Sequence, residues 1–427
     1  MKKKIQQRCP PVSPILSESI GISIFSLSIL IVVELETSIT ETETLELLRN
    51  DAVLSHTRFS SIMVTDKNGV KRWKKIDYFR VEDHLIVRTF PSGLEREENL
   101  REYLSKIGSE SFSEEKPMWE VHLIKNNGPN NIGSTGGGSL SPPSTSTLIF
   151  KLSHALGDGY SFIGPIFKAF KRADDPSLPF TYPRIYIFDK PSPIRSATTN
   201  KMDLFRPFSI YTVTLSLERV KQVKSKLGAT VNDVLMGIIS YVIHLYMSRT
   251  TGGGHNHQVS INGARSTSMT IMVMINMRML KGYKNIEEMI KANTWGNHSR
   301  FLQVTIPSVK DLEEINPLDF IIKAKETKDR KKNSHVCLPY EPVLNTTWRI
   351  GGQKEQGAVA GHPVSDAYFI VTGMPQSITF TSASYMEQLK LVVTMEKGFI
   401  DFKLFTSCMD EAFENIFQAA FGNCEAT

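Results

Sequence analysis

A histidine and an aspartate lie four residues apart in the stretch KLSHALGDGYSF, residues 151–162. A histidine imidazole ordinarily titrates near neutral pH, so the type of side chain at position 154 can take a proton from a hydroxyl group and later return it. Gly157 and Gly159 flank Asp158, and glycine allows the backbone to bend sharply where a substrate approaches. The stretch therefore predicts a general base on a turn, with an ordinary hydrogen-bonded turn histidine as the alternative.

The same spacing recurs in GHPVSDA, where His362 and Asp366 are also four residues apart. That second pair is followed by neither a glycine nor an amphipathic helix, and Pro363 comes directly after its histidine. Spacing alone is therefore weak evidence, and we predict that His362 is not a base. His255 and His257 have a spacing that metals use, but the sequence offers no evident third ligand. We predict a solvated loop there and no metal site.

The elements around His154 follow from the pattern of apolar residues. Thr147–Ser153 (TLIFKLS) and Trp119–Ile124 (WEVHLI) read as two paired strands joined by a loop rich in Gly, Ser and Pro. Tyr160–Lys171 carries apolar residues at helical spacing. His154 is thus predicted to lie on a turn between a strand and a helix, where a reactive side chain reaches the mouth of a cleft.

The same pattern of apolar residues and turn signals predicts further strands and helices along the chain. Predicted strands include Ile20–Val33, IYTVTLS, MTIMVMINMRM and QSITFTSAS, and LKLVVTMEKGFIDFKLF reads as a hairpin with Lys397-Gly398 in its turn. A further hairpin is predicted at Asn68-Gly69. The predicted helices are Thr42–Arg49, Glu97–Ile107, Leu217–Leu227, TVNDVLMGIISYVIHLYMSR, Leu318–Lys332 and Ser407–Phe421.

A chain of 427 residues is too long for one ordinary core. We predict an N-terminal domain over residues 1–173, a proline-rich crossover linker over 174–203 and a C-terminal domain over 204–427. Each domain is expected to be α/β to α+β, with mixed sheets flanked by helices. Hydrophobic residues make up 41% and charged residues 22%, as in ordinary globular proteins.

The net charge bears on whether the protein binds nucleic acid, and the number and spacing of its cysteines bear on its redox compartment. The net charge of +6 is modest, and no basic patch with interleaved aromatic residues predicts a nucleic-acid partner. Four cysteines without C-x-x-C spacing indicate reduced thiols in a cytosolic or cytosol-facing protein. The apolar run over residues 20–33 is too short and too rich in serine to span a bilayer, so we predict no membrane span. Peripheral membrane contact stays compatible with this composition.

SHALGDG resembles the H-H-x-x-x-D-G signature of the wax ester synthase/acyl-CoA:diacylglycerol acyltransferase family. Other segments resemble family motifs in the same order: PMWEVHLI, TRFSSIMV, TVNDVLMGIIS, INMRML and GHPVSDAYFIVTGMPQSITFTSAS. The resemblance covers residues from about 50 to 420. It implies the two-domain chloramphenicol-acetyltransferase-like fold, with the active site in a tunnel between the domains.

The resemblance also implies a reaction. A fatty acyl group would pass from acyl-CoA, a co-substrate, to a long-chain alcohol or a diacylglycerol, with His154 as the general base and no cofactor. Asp158 would pair with an arginine, for which Arg278 is the candidate, and would fix the turn together with Gly159. Ser153, Asn232 and Asp233 would line the tunnel, with helix capping as the alternative for Asn232 and Asp233, and Trp119 would pack. The implied location is the cytosolic face of the endoplasmic reticulum, as a peripheral protein, or the plasma membrane, with the cytoplasm as the alternative.

Two departures from the family pattern keep other functions open. Ser153 stands where the signature has its first histidine, and the hydrophobic middle stretch common in plant relatives does not appear. The chain could therefore be an inactive paralogue that binds a lipid or a partner. A soluble BAHD-type acyltransferase is a third alternative, although that group's D-F-G-W-G segment is missing. For catalysis, we expect the His154 ring to face a cavity in which an alcohol and a thioester can meet.

Overall fold

The computed structural model describes residues 27–50, 57–65, 71–90, 96–126, 145–157, 170–172, 185–189, 194, 206–252, 269–276, 299–306, 316–332, 356–373 and 377–422. The strands in these ranges are β1 Ser28–Leu35, β2 Ser61–Thr65, β3 Lys71–Lys75, β4 Leu85–Phe90, β5 Trp119–Asn126, β6 Thr145–Ser153, β7 Phe170–Arg172, β8 Ile185–Asp189, β9 Phe208–Ser216, β10 Met269–Asn276, β11 Ser299–Ile306, β12 Gly357–Val359, β13 His362–Thr372, β14 Ile378–Tyr385 and β15 Gln388–Glu396. The α-helices are α1 Glu41–Asn50, α2 Arg96–Ser109, α3 Leu217–Lys226, α4 Val231–Gly252, α5 Leu318–Lys332 and α6 Phe402–Phe421.

Seven strands form a mixed sheet in the order β4-β5-β6-β1-β13-β12-β7. Strands β4 and β5 run parallel, and the other neighbours run antiparallel. β1 lies in the middle between β6 and β13, so both of its edges are paired. Its sequence, SILIVVEL, is almost wholly buried, as expected of a central strand that is covered on both faces. β5 and β6 pair directly, which confirms that part of the sequence prediction.

Six further strands form an antiparallel sheet in the order β11-β10-β8-β14-β15-β9. β8 pairs with both β10 and β14 although it falls in the proline-rich segment predicted as a crossover linker. That segment therefore contributes a strand to the interior of a sheet. The helix predicted over Tyr160–Lys171 is wrong at its end, because Phe170–Arg172 is β7 and pairs with β12. The remainder of that helix lies outside the described residues.

Buried apolar side chains form two clusters. One joins the seven-stranded sheet to residues of α1 and α2, and the other joins the six-stranded sheet to residues of α3, α4, α5 and α6. α2 and β9 meet closely: a Cβ placed on Gly108 would lie 2.7 Å from Phe208 Cζ and 2.9 Å from Thr372 Cγ2. The predicted domain boundaries at 173 and 204 stay a prediction.

Local sequence explains where the helices start. Thr40 and Glu43 form a capping box before α1, since the Thr40 N–H donates to Glu43 Oε2 at 2.8 Å and the Glu43 N–H donates to Thr40 Oγ1 at 3.2 Å. Asp401 caps α6 by accepting the Leu404 N–H at 3.0 Å. The hairpin predicted around Lys397-Gly398 is wrong because β15 ends at Glu396 and this cap starts a helix.

The hairpin in that region instead joins β14 to β15. Its turn residues Met386 and Glu387 have φ angles of 46° and 58°. Positive φ at both central residues is the geometry of a two-residue type I′ turn. Neither residue is a typical turn former, which is why the sequence pattern pointed to the lysine and glycine further on.

α4 is the helix within the described ranges that is long and apolar enough to cross a membrane. However, 72% of its apolar window is buried inside the protein. Helix α4 packs against α3, α5 and α6 within the second cluster. This is typical of the central helix of a globular core.

Replacing Gly237 with alanine should destabilise the protein by about 1–3 kcal/mol, because a Cβ there has no space. It would lie 2.8 Å from Ile321 Cα and 2.9 Å from Ile321 N, so the backbones of α4 and α5 would have to separate. In an unconstrained helix the same change stabilises by up to about 1 kcal/mol. Urea unfolding at constant m value measures the net effect. A lower midpoint for Gly237→Ala shows that the Cβ lacks space, and a higher midpoint would show that helix propensity prevails.

Candidate active site

The strand β6 delivers His154 to the middle of the seven-stranded sheet. β6 lies between β5 and β1, and its last residue, Ser153, pairs with Ser28 of β1. The apolar run LIFKL explains why this strand is buried along nearly its whole length. His154 is the first residue after the strand, at the place that the sequence predicted for it.

Backbone hydrogen bonds fix the turn that starts at His154. The His154 N–H donates to Leu27 O at 2.8 Å, and the Ser153 N–H donates to Met118 O at 3.0 Å. The Leu156 N–H then donates back to Ser153 O at 3.0 Å and closes the turn. The base candidate is therefore tied to the chain before β1 and to the chain before β5.

Ser153 has a structural role in this turn. Its Oγ accepts the Ala155 N–H at 3.2 Å, and its side chain is buried. Small hydroxyl side chains commonly satisfy a backbone N–H two residues ahead in this way. The serine that replaces the first histidine of the signature thus stabilises the bend directly beside His154.

Arg58 contacts the far end of the same turn. It lies in the short 3₁₀ helix Thr57–Ser60, is only 7% exposed, and donates from Nη1 to Leu156 O at 3.0 Å. The sequence analysis assigned it no role, although it lies in the TRFSSIMV motif. A single sequence does not show whether an arginine donates a hydrogen bond to a distant backbone carbonyl or faces solvent.

His154 is fully buried, with 0% of its surface exposed. The imidazole therefore has no surface in contact with solvent. Burial also keeps bulk water away from the ring, which strengthens the electrostatic interactions of a reacting group. The expected cavity stays a prediction: Asp158, Gly159 and Arg278 all lie outside the described residues.

Asp233 forms a capping box at the start of α4. Its Oδ2 accepts the Thr230 N–H at 2.8 Å and the Thr230 hydroxyl at 2.7 Å, and its own N–H donates to Thr230 Oγ1 at 3.2 Å. These contacts give Asp233 the capping role that the sequence analysis weighed against a role in the tunnel. Asn232 is half-buried in the first turn of the same helix. A role for Ser153, Asn232 or Asp233 in a tunnel remains a prediction.

A group of buried and half-buried polar side chains lies on β5, β6 and α2, and we call Tyr103, Glu120, His122 and Lys151 the β5–β6 polar cluster. Lys151 Nζ lies 3.6 Å from Glu120 Oε2 and 4.5 Å from the centre of the Phe112 ring. His122 places Nε2 at 3.3 Å from the same carboxylate oxygen and Nδ1 at 2.8 Å from the Tyr103 hydroxyl. Strand alternation places Glu120 and His122 on one face, but the sequence analysis did not identify the cluster.

The burial of this cluster perturbs its acid–base properties. Burial lowers the pKa of Lys151, and the charge of Glu120 opposes part of that shift. Burial acts to raise the pKa of Glu120, but the nearby His122 ring and the charge of Lys151 outweigh it, so that pKa is lowered. The pKa of Tyr103 is raised, chiefly by burial. Glu120 is thus held as the anion that compensates a buried lysine.

The second histidine–aspartate pair is placed quite differently. His362 begins β13, with Nδ1 at 2.6 Å from Thr37 Oγ1 and Nε2 at 3.5 Å from Glu43 Oε1. Both ring nitrogens therefore lie near partners, one in the segment before α1 and one in the first turn of α1. His255 and His257 lie outside the described residues. Within the described ranges, no three His, Cys, Asp or Glu side chains are arranged to hold a metal ion.

Trp119 packs rather than facing a site. Its ring stacks on His84 with the centroids 4.1 Å apart, and its Nε1 donates to Phe59 O at 2.9 Å. It is 1% exposed. These contacts tie β5 to the 3₁₀ helix that carries Arg58, in keeping with the packing role predicted for Trp119.

Comparison with known proteins connects this geometry to a family. A family model described as "WS/DGAT C-terminal domain" matches residues 349–417. Wax ester synthase/diacylglycerol acyltransferase 11 of Arabidopsis thaliana is 24% identical over 418 residues, which cover 81% of this chain and 82% of the relative. Wax ester synthase/diacylglycerol acyltransferase 9 of the same plant is 23% identical, with 85% of this chain and 86% of the relative covered.

Solved structures agree on the fold. The wax ester synthase/diacylglycerol acyltransferase from Marinobacter aquaeolei VT8 superposes with a TM-score of 0.59 at 13% identity, over 96% of this chain and all of that one. The first condensation domain of the CDA synthetase gives a TM-score of 0.57 at 12% identity, over 99% and 98% of the two chains. The predicted two-domain, chloramphenicol-acetyltransferase-like fold class is confirmed. The chain is thus similar to wax ester synthase/diacylglycerol acyltransferases over most of its length and shares their fold.

Proposed function

We propose that this protein transfers a fatty acyl group from acyl-CoA to the hydroxyl group of a lipid alcohol. The acceptor is a long-chain alcohol, which gives a wax ester, or a diacylglycerol, which gives a triacylglycerol. Support for the reaction class comes from relatives over most of the chain whose names state these two activities. His154 is the general base in this proposal.

One imidazole serves both steps of the proposed reaction, first as the general base and then as the general acid. His154 takes the proton of the acceptor hydroxyl as that oxygen attacks the thioester carbonyl, at a distance of about 3 Å between base and hydroxyl. The tetrahedral intermediate collapses, the carbon–sulfur bond breaks, and the imidazolium returns the proton to the CoA thiolate. No residue of the protein is acylated, so no nucleophilic serine or cysteine is needed.

The fixed turn at the end of β6 is the observation that carries the proposal. A general base works only if its ring is held in one place relative to the reacting atoms. His154 leaves the middle of a sheet, its N–H is bonded to Leu27 O, and the turn behind it is closed by Leu156. The burial of the ring implies that substrates enter as the protein opens and then react away from bulk water.

Location and cofactor use are part of the proposal. A lipid acceptor partitions into membranes, so we place the protein at the cytosolic face of the endoplasmic reticulum or at the plasma membrane, as a peripheral protein. The reaction as written balances without a metal or a cofactor, with acyl-CoA as the co-substrate.

The proposal is tested with purified protein, labelled palmitoyl-CoA and one acceptor at a time. Labelled ester from hexadecanol or from diacylglycerol is the expected product, and the ratio of the two identifies the preferred acceptor. Binding of palmitoyl-CoA without any ester would favour the inactive lipid-binding alternative, which Ser153 motivates. Ester formed only with a phenolic or other small alcohol would favour the BAHD-type alternative.

A further inference from the structure

Arg58 is a buried arginine that donates a hydrogen bond to the turn carrying His154. It comes 98 residues before Leu156 in the chain, and yet its Nη1 lies 3.0 Å from the Leu156 carbonyl oxygen. Arginine stays protonated at every physiological pH, and a buried guanidinium requires partners that compensate its lost hydration. The Leu156 carbonyl oxygen is such a partner, and the hydrogen bond from Arg58 also restrains the Leu156 peptide group.

The 3₁₀ helix that carries Arg58 is itself fixed. Trp119 Nε1 donates to the carbonyl of the next residue, Phe59, at 2.9 Å, and the Ser61 hydroxyl donates to Thr57 O at 2.6 Å. The Arg58 guanidinium carbon lies 5.8 Å from the centre of the Trp73 ring in β3. The donor therefore approaches Leu156 from a rigid support composed of β5 and the β2–β3 hairpin.

The turn is thus held at two points that bracket the imidazole. Leu27 O accepts the His154 N–H on one side, and Arg58 holds the Leu156 carbonyl two residues later. If the second point were lost, the peptide groups after His154 could rotate and the ring would shift. A displacement of about 1 Å at a reacting group can cost about 100-fold in rate.

We infer that Arg58 is a positioning residue for His154. This inference rests on the proposed function, because it concerns the base of that reaction. Arg58 does not touch substrate in this account. It acts through the backbone of residues 154–156, so it affects the rate of the chemical step and not the binding of either substrate.

The test compares Arg58→Lys and Arg58→Gln with matched changes at Arg206. Arg206 is also a poorly exposed arginine in a hydrogen bond, with Nη1 at 2.8 Å from Glu396 Oε2, but it precedes β9 in the six-stranded sheet. Thermal unfolding and gel filtration give the folded fraction of each variant, and kcat is expressed per folded molecule. If Arg58→Gln does not fold, Arg58→Lys carries the comparison, since it keeps the charge and most of the stem.

We expect Arg58→Lys to lower kcat roughly 10- to 100-fold with the KM values for acyl-CoA and acceptor nearly unchanged, and Arg58→Gln to lower it further. The two Arg206 variants should keep the kcat of the unaltered protein. Trp73→Leu, which leaves Arg58 in place but removes the ring beside it, should give an intermediate loss. Wild-type kcat per folded molecule in both Arg58 variants would overturn the inference.

Measuring His154→Ala in the same assay distinguishes failure of the proposed function from failure of the positioning role of Arg58. If His154→Ala retains full activity, the proposed base is wrong. If His154→Ala is inactive while the Arg58 variants keep full kcat, only the positioning role is wrong. A rise in KM with constant kcat in the Arg58 variants also contradicts positioning, because it would place the guanidinium in substrate binding.

Discussion

His154→Ala should lower kcat for ester formation by about 10²- to 10⁴-fold, the range that an aligned general base supplies. The acceptor hydroxyl would then lose its proton to water or not at all, and the leaving thiolate would lack its proton donor. The KM values should change little, since the imidazole acts in the transition state more than in binding. Rates with saturating palmitoyl-CoA and acceptor, expressed per folded molecule, measure the effect.

His362→Ala is the matched control for that variant. It removes a histidine that also precedes an aspartate by four residues, but His362 lies at the start of β13 with Thr37 and Glu43 as partners. Its removal should leave kcat unchanged. His154→Asn is a second variant, which keeps a polar side chain in the buried position and guards against a collapse of the turn. Full activity in both His154 variants would contradict a catalytic role.

Glu120→Gln should lower the free energy of unfolding by about 1–3 kcal/mol, less than breaking a fully buried ion pair costs, because the Glu120 side chain is 29% exposed. The side chain of Lys151 is 1% exposed, and Glu120 lies 3.6 Å from its ammonium group. A neutral amide cannot offset that charge, so the folded state has either to bury a bare cation or to deprotonate it. Urea unfolding at pH 7 measures the difference.

Lys151→Met is the companion change and should cost much less, because it removes the cation and leaves a partly exposed carboxylate that still contacts His122. The double variant Glu120→Gln/Lys151→Met should recover most of the stability that Glu120→Gln loses. A loss in the double variant equal to the sum of the two single losses would show that the pair does not interact.

The pH dependence of Glu120→Gln follows from the lowered pKa of Lys151. Between that lowered pKa and the ordinary value of 10.5, the folded state binds fewer protons at this lysine than the unfolded state does. Stability contributed by this group therefore rises with pH across that window. The rise should be steeper in Glu120→Gln, which lacks the carboxylate that opposes the shift. Unfolding at a series of pH values between 7 and 10 tests the sign.

Segments with strong periodicity could be predicted from the sequence. The alternation of WEVHLI and the apolar run TLIFKLS predicted β5 and β6 and their pairing, because strand residues that alternate must share one buried face. The apolar helix after Thr230 was equally clear, and α4 packs in a core as its composition requires. The turn that carries His154 followed from these elements, since it is the break after a strand.

Features that depend on distant parts of the chain could not be predicted. β13 was missed because GHPVSDAYF mixes polar residues, a proline and aromatic residues, and it becomes a strand by pairing with β1 across the sheet. β8 was taken as linker because prolines surround it. The contact of Arg58 with Leu156 and the pairing of Glu120 with Lys151 join residues that only the folded sheet brings together. Tertiary contacts override local pattern in each case.

Release of CoA in a single turnover tests the central claim most directly. Protein in excess is mixed with labelled palmitoyl-CoA, first without an acceptor and then with hexadecanol or diacylglycerol. In the proposed mechanism His154 activates the acceptor hydroxyl and no residue is acylated. We therefore predict that CoA appears only after the acceptor is added, in step with the ester, and that His154→Ala slows both equally. A burst of CoA without acceptor, accompanied by palmitoylated protein, or rapid ester formation by His154→Ala would contradict the account.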